Sequence, residues 1–403
     1  MDIVVIGGGP GGLYFAILAK KAFPNGRVRV YERNKPDDTF GFGVVFSDET
    51  LDNFLSRDPE SYQAITDTFA YWDNIDLRWH DGSVVTSGGH GFCGCGRVEL
   101  LNVLQARAAA LDVELHFETE IDDLAELGQP DLIVAADGIN SAIRERYKEH
   151  FRPSIEWRRN RFVWLGSTKP SDAFTFSFAT NEHGIWVLGE YQYNDELATW
   201  IVEAPEETWA SAKDEVEHLS EAELLDYMET LFADYLDGHK LVANRSIWRV
   251  FPTIRCESWS FRNIVLMGDA LHTAHYSIGS GTKLAMEDAI GLIDAVTAAV
   301  ATGDSMTDAL AAFERDRREE VEKTQHAADV SVIWTENPGR YWNMDAQQAA
   351  FSMLSRSKQI TYDNLRLRDE PYMEGVDRWF AGSVREGAGF EVDANDPPPP
   401  MFT

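Results

Sequence analysis

Three glycines near the head of the chain have the spacing to support redox chemistry. Gly7, Gly9 and Gly12 satisfy G-x-G-x-x-G, and Glu32 follows twenty residues beyond the last of them. In such a loop the first glycine permits a tight turn, the second lets the backbone approach a pyrophosphate, and the third lets a helix pack closely on a strand. The helix N-terminus then faces the phosphates. A carboxylate at Glu32 suits a ribose hydroxyl and argues against a 2′-phosphate. The implied chemistry is electron transfer through FAD or NAD, with NADP a poor fit, and the position at the extreme N-terminus leans towards FAD.

The elements that must hold this loop can be read on either side of it. Asp2–Ile6 is a short, β-branched strand, the apolar positions from Leu13 to Phe23 have helical spacing, and Arg27–Tyr31 alternates as a second strand. Two later apolar runs end in the same manner. Leu132–Ala136 stops at Asp137-Gly138, and Asn263–Met267 stops at Gly268-Asp269. A carboxylate there stands at the carboxyl edge of a parallel sheet, where open α/β folds bind ligands. Gly279 and Gly281 lead into a helix through Leu284, Ala285, Asp288, Ala289 and Leu292, whose first N–H groups suit an anionic atom. Arg97 opens another helix, Val98 to Leu111, and is placed to reach a phosphate. Gly89, Gly91 and Gly94 repeat the dinucleotide spacing, but the strand before them is very short and Arg97 stands between them and the helix. They read as a flexible crossing between domains.

From Arg161 to Glu203 the pattern changes to four aromatic-rich strands at hairpin-like intervals, a mostly antiparallel sheet that suits the wall of a substrate pocket. The expected fold is α/β, a Rossmann-like FAD-binding domain with an inserted antiparallel β-sheet domain and C-terminal helices. The expected division gives residues 1–72, 96–155 and 260–330 to the FAD-binding domain and 73–95 and 156–259 to the substrate sheet. Residues 331–390 form a helical region, and the proline-rich 391–403 reads as a tail or linker, which raises the expectation of a fused or partner reductase domain. A formal charge of −31 disfavours nucleic acid and anionic membranes as partners. Three cysteines are too few for a disulfide framework, Cys93-Gly94-Cys95 has no second ligand pair for a metal, and no apolar run has membrane-spanning length. The chain reads as soluble and cytoplasmic.

Taken together, Gly7–Gly12 with Glu32-Arg33, Asp137-Gly138 through Arg144, and Gly268-Asp269 through His272 resemble, in order and spacing, the single-component FAD-dependent aromatic hydroxylases. The resemblance implies that Glu32, Arg33 and Arg97 contact the ribose and pyrophosphate of FAD. It further implies that Asp137 lies where FAD and NADH or NADPH share a surface, that Asp269 meets the ribityl chain, and that Gly279 and Gly281 face the flavin ring. Gly41–Thr50 and Asp269–Gly279 are most similar to a narrower group that acts on salicylyl-CoA, 2-aminobenzoyl-CoA and a violacein-pathway indole. Tyr276 departs from that pattern, which has proline beside the flavin.

The activity so implied is monooxygenation of an electron-rich aromatic ring through a flavin C4a-hydroperoxide, with O₂ and a transient NAD(P)H as co-substrates. His275 is the candidate for moving a proton at the substrate. Tyr276 and the basic stretch containing Arg158, Arg159 and Arg161 are candidates for holding an anionic aryl-CoA thioester. Other readings are an indole hydroxylase, a flavin dehydrogenase or ring reductase that does not activate oxygen, and a non-catalytic flavoprotein module of a larger assembly.

Overall fold

The structure is a computed structural model that describes residues 1–39 and 41–385. Ile3 to Ile6 are apolar on both faces of their strand, so the strand needs cover on both sides, and it lies inside a six-stranded sheet. The order across is Ser260–Phe261, Ile264–Leu266, Leu132–Ala135, Asp2–Ile6, Arg27–Tyr31 and Glu114–His116, parallel except for the antiparallel edge at Ser260–Phe261. Parallel strands end at the same edge. The Gly7, Asp137-Gly138 and Gly268-Asp269 turns therefore come together although they are far apart in sequence. Helices Pro10–Ala22, Arg97–Ala110 and Gly281–Thr302 cover the sheet with buried Leu13, Ile17, Leu100, Leu104, Leu292 and Val296.

The second sheet runs Leu241–Val242, Pro153–Ser167, Ala198–Ala204, Gly184–Gln192, Ala173–Asn181, Asn74–Arg78 and Val84–Ser87, with Arg249–Cys256 also paired to Pro153–Ser167. Side chains alternate between its faces. Val163, Leu165, Trp186, Leu188, Trp200 and Val202 form an outer face buried beneath helices Glu206–Val216 and Glu221–Leu231. The inner face carries Phe162, Trp164, Phe174, Phe176, Gly189 and Ile201. Helix Met306–Glu336 continues past residue 330, and Trp334 packs in one buried cluster with Phe176, Leu77 and Ala349 of helix Ala346–Leu354. Strand Pro153–Ser167 likewise runs across the expected boundary at 155. The tail, 391–403, lies outside the described residues.

The crossing expected at Gly89, Gly91 and Gly94 is shorter than that: Gly89 and Gly91 connect Val84–Ser87 of the large sheet to Phe92–Gly96, and Gly94 is part of the latter strand. Phe92–Gly96 is the middle strand of a three-stranded sheet, between Gly43–Ser47 and Ala70–Trp72, and Cys93 and Cys95 on it are buried thiols outside any disulfide. Gly94 is small because a side chain there would press on the Trp72 ring and the Gln192 carbonyl. Among the described residues no helix is long and apolar enough to cross a membrane.

Asp58 ties three helices together. It caps Pro59–Thr66 by accepting from Ser61 N, and it accepts from Arg107 Nε at 2.9 Å and from Lys21 Nζ. Burial alone would raise its carboxyl, but the Arg107 and Lys21 cations and the Ser61 hydroxyl hold it well below the usual range. Asp58→Ala is expected to lower unfolding free energy by about 2–4 kcal/mol in urea titrations, because two cations lose their partner. The carboxylate's contribution is present above its unfolded pKa and lost as pH falls. The deficit should therefore narrow below about pH 4, and a deficit that widens in acid would contradict this account.

Candidate functional site

The glycine loop meets the three demands of its motif in three different ways. Gly7 has φ +110°, and a side chain there would collide with the Ala136 carbonyl. At Gly12 a side chain would strike the Gly7 carbonyl, and Gly12 itself is buried. By contrast, a Cβ on Gly9 would meet nothing within 4 Å, so the backbone there is open to an approaching ligand. Gly9 is also the N-cap of helix Pro10–Ala22, which directs that helix end at the same space.

A cleft of about 240 Å³ lies over the loop, and Gly7, Gly9, Glu32, Arg33, Arg97 and Asp137 all line it. Glu32 accepts from Gly8 N at 2.7 Å and from Asn34 N at 2.8 Å, so its carboxylate fixes the loop while facing the cleft. Arg97 donates from Nε to Thr39 Oγ1 at 3.4 Å, and burial pulls its guanidinium below the usual value despite Tyr191 and Asp269 nearby. Asp137 accepts from Ile143 N at 3.3 Å through Oδ2, while Oδ1 is buried without a partner, and burial raises the carboxyl. An open glycine at a helix end, an arginine for the phosphates and carboxylates for hydroxyls fit a dinucleotide.

The other two turns are locked to this cleft by residues that the sequence reading assigned elsewhere or passed over. Arg144, which ends the Asp137 motif, is buried and donates to Ala270 O at 2.8 Å and Ile139 O at 2.6 Å, joining the Asp137 turn to the Asp269 turn. Asp288 has no exposure and accepts from Gly268 N at 3.1 Å, pairs with His272 Nε2 at 2.7 Å, and accepts from Arg317 at 3.2 Å. Burial opposes its charge, but His272 and Arg317 prevail and hold the carboxyl down. Its sequence signal was an acid on the apolar face of a helix. Asp269 is exposed on the turn Gly268–Ala270, and Gly279, at φ +66°, and Gly281 precede or open helix Gly281–Thr302. Ala285 of that helix meets both Gly11 and Gly268, where added Cβ atoms would come within 2.9 and 3.1 Å of it.

Beside Tyr276 the inner face of the large sheet keeps an aromatic recess, where Trp164, Phe174, Gly189 and Ile201 are only half-buried. Strand register sets Phe176, Gly189, Ile201 and Trp164 in one row across four strands. Gly189 leaves a gap in the middle of that row, with the Phe174 ring 3.8 Å from where its Cβ would be. Tyr276 closes one side, its ring 4.7 Å from Phe162 and 6.1 Å from Trp164. The Tyr276 hydroxyl is buried beside the Glu203 carboxylate without a well-formed hydrogen bond, and burial and that carboxylate push the phenol well up. Glu203 accepts from Asn160 Nδ2 at 2.7 Å. Arg356, on the turn after helix Ala346–Leu354, donates to Ser277 O at 2.9 Å beside Tyr276. Nothing in the sequence marked Arg356, which approaches this loop from a different region of the chain.

Two expectations about substrate groups change here. His275 is buried and its Nδ1 accepts from Ser277 N, capping the turn Tyr276–Ile278. Burial, with the charges of Arg158 and Arg356, holds its pKa well below the usual value, so the imidazole is neutral near pH 7 and its Nδ1 is taken up by the turn. Arg158 is committed to Glu336 at 2.7 Å, on the inner side, whereas Arg159 pairs with Glu206 at 3.8 Å and Arg161 lies over the Trp209 ring on the outer side. Strand alternation divides the three between opposite faces, so they do not converge on one anion.

With this geometry established, the relationships of the chain are specific. Residues 1–328 match the family described as FAD binding domain, and the chain belongs to it. It is 42% identical to salicyloyl-CoA 5-hydroxylase of a Streptomyces species over 94% of this chain and 74% of that protein. It is 33% identical to 3-hydroxy-4-methyl-anthranilyl-[aryl-carrier protein] 5-monooxygenase of Streptosporangium sibiricum, over 91% and 97% of the two chains. The fold is also that of 2-methyl-3-hydroxypyridine-5-carboxylic acid oxygenase, with a TM-score of 0.69, 20% identity, and coverage of 91% and 97%. The protein is an FAD-dependent aromatic monooxygenase, with reduced nicotinamide and O₂ as its co-substrates.

Gly9 and Gly12 separate ligand binding from folding. Gly9→Ala, with φ −72° and free space, is expected to keep the thermal midpoint of the apoprotein and to lose at least about tenfold in FAD affinity. Gly12→Ala should instead lower the midpoint. Calorimetric FAD titration and thermal melts distinguish them, and undiminished FAD binding by Gly9→Ala would contradict the assignment of the cleft. Asp288→Asn should destabilise the protein by about 3 kcal/mol in urea titrations, since Arg317 and His272 lose a buried carboxylate; stability equal to wild type would show that the buried network is dispensable.

Proposed function

We propose that the substrate is an aryl thioester of the salicyloyl-CoA or 2-aminobenzoyl-CoA type, hydroxylated on its ring. The observation that carries this reading is the recess at Gly189, where a residue without a side chain stands in one cross-strand row with Phe176, Ile201 and Trp164, beside the Phe174 ring. Aromatic walls hold a ring by stacked and edge-on contacts. Two relatives act on thioester-linked aryl groups, one on CoA and one on a carrier protein. The arginines 158, 159 and 161 are engaged with protein partners, so recognition in this reading rests on the aryl end of the substrate.

FAD, when bound, supplies the reduction by nicotinamide and the activation of O₂. The chain's own part is placement and shielding. Glu32, Arg33, Arg97 and the Gly9 backbone would hold the dinucleotide, Asp137 and Asp269 would accept from its hydroxyls, and Arg144 and Asp288 keep their turns in place. The helix end at Gly279 and Gly281 offers positive potential to negative charge on the ring system. His275 acts as a positioning residue through the turn it caps, and the Phe162, Trp164 and Tyr276 rings exclude water from the recess.

The test is NADH oxidation and oxygen uptake by the purified holoprotein with salicyloyl-CoA, 2-aminobenzoyl-CoA, the corresponding free acids and indolic compounds, with product mass read in parallel. A thioester should accelerate NADH oxidation and gain one oxygen atom. Hydroxylation confined to the free acids or to indoles would overturn the proposal.

A further inference from the structure

We propose that Arg356 recognises the acyl oxygen of the aromatic substrate and thereby sets the ring's orientation in the recess. The inference rests on the aromatic-acyl reading given above. Arg356 bridges the two walls of the recess. Its guanidinium carbon lies 4.8 Å from the centre of the Phe176 ring, in the same cross-strand row as Gly189, and Nη2 donates to the carbonyl of Ser277, next to Tyr276. Nη1 donates to Met353 O at 2.7 Å, so the fork is held in a fixed direction.

One donor is left over. Arg356 Nε is buried and has no hydrogen-bond partner. The nearby Arg158 differs, since Glu336 takes its Nε at 3.1 Å and its Nη2 at 2.7 Å. Glu203 supplies the negative charge that supports Arg356, while burial lowers the guanidinium to about 10, so it remains a cation at neutral pH. A buried, charged donor without a partner is costly, and an oxygen acceptor beside it removes that cost. A stacked aryl group with a carbonyl attached brings an acceptor of this kind. The carbonyl of a thioester and an oxygen of a free carboxylate share that chemistry. A ring amine, being a donor, does not.

The experiment compares ligand and residue together on the FAD-loaded, full-length protein without nicotinamide. Dissociation constants are read by calorimetry for salicyloyl-CoA and for the matching 2-hydroxybenzyl thioether of CoA, in which a methylene replaces the carbonyl. Salicylate and 2-methylphenol, in which a methyl replaces the carboxylate, form the free-acid arm. Wild type should prefer the carbonyl ligand to its carbonyl-free twin by about 10- to 100-fold in one arm, and that arm identifies the source of the oxygen. Arg356→Gln should shrink the ratio to within about twofold while FAD content is kept, and Arg356→Lys should retain part of it. If Arg356→Gln loses FAD, the Lys variant decides, because an unchanged ratio overturns the assignment and a reduced ratio supports it. Absence of any carbonyl preference in wild type also overturns it. A holoprotein that hydroxylates no aryl thioester sinks the functional reading separately, and the salicylate arm still judges Arg356.

Discussion

The Asp288 carboxylate is the interaction on which the arrangement of this site depends. It sits in the second turn of helix Gly281–Thr302 with no exposure, and it takes hydrogen bonds from Gly268 N and from Arg317 while paired to His272. Removing a charge from water is expensive, and here the cost is offset by several donors at once. The result is geometric. The end of strand Ile264–Leu266, the Asp269 turn and the start of the helix cannot move independently, because one side chain holds all three.

Small residues set the distances within that frame. Gly11 and Gly268 admit Ala285, which brings helix Pro10–Ala22, the Asp269 turn and helix Gly281–Thr302 into direct contact. Gly7 and Gly12 close the dinucleotide loop, and Gly9 is left open. Absence of a side chain has a different meaning at each position. In the substrate sheet Gly189 again matters for what is missing, since its row neighbours Phe176, Ile201 and Trp164 are large and it alone among them carries no side chain. The outer face of the same sheet carries Trp186 and Trp200 with no such gap, packed beneath helices as ordinary core. Alternation along the strand thus separates stability from binding.

These facts explain what could be read from the sequence. The βαβ unit and the three strand-to-turn motifs were legible because their signals are local, a β-branched run and then glycine or Asp-Gly, and parallel pairing brings their ends together. The inserted sheet was legible from strand spacing and aromatic content. Arg158, Arg159 and Arg161 were misleading because closeness in sequence was taken as closeness of charge, whereas a strand turns neighbours to opposite faces and Glu336 and Glu206 come from elsewhere. Gly89, Gly91 and Gly94 matched a motif without its strand: Gly89 and Gly91 lie in the loop before Phe92–Gly96, and Gly94 lies within that strand. His275 has the residue type for proton transfer, but burial and two cations hold it neutral. Arg356 could not be read at all, since its meaning comes from contacts with Ser277 and Phe176, remote in the chain.

The central claim is that the Gly189 recess is where the aromatic ring is held. The measurement that tests it most directly is an experimental structure of the FAD-loaded protein with a non-reacting aryl thioester. The account predicts the ring over Gly189, between Trp164 and Phe176, on the side of Tyr276. A ring bound elsewhere, with Gly189 left uncovered, would contradict it.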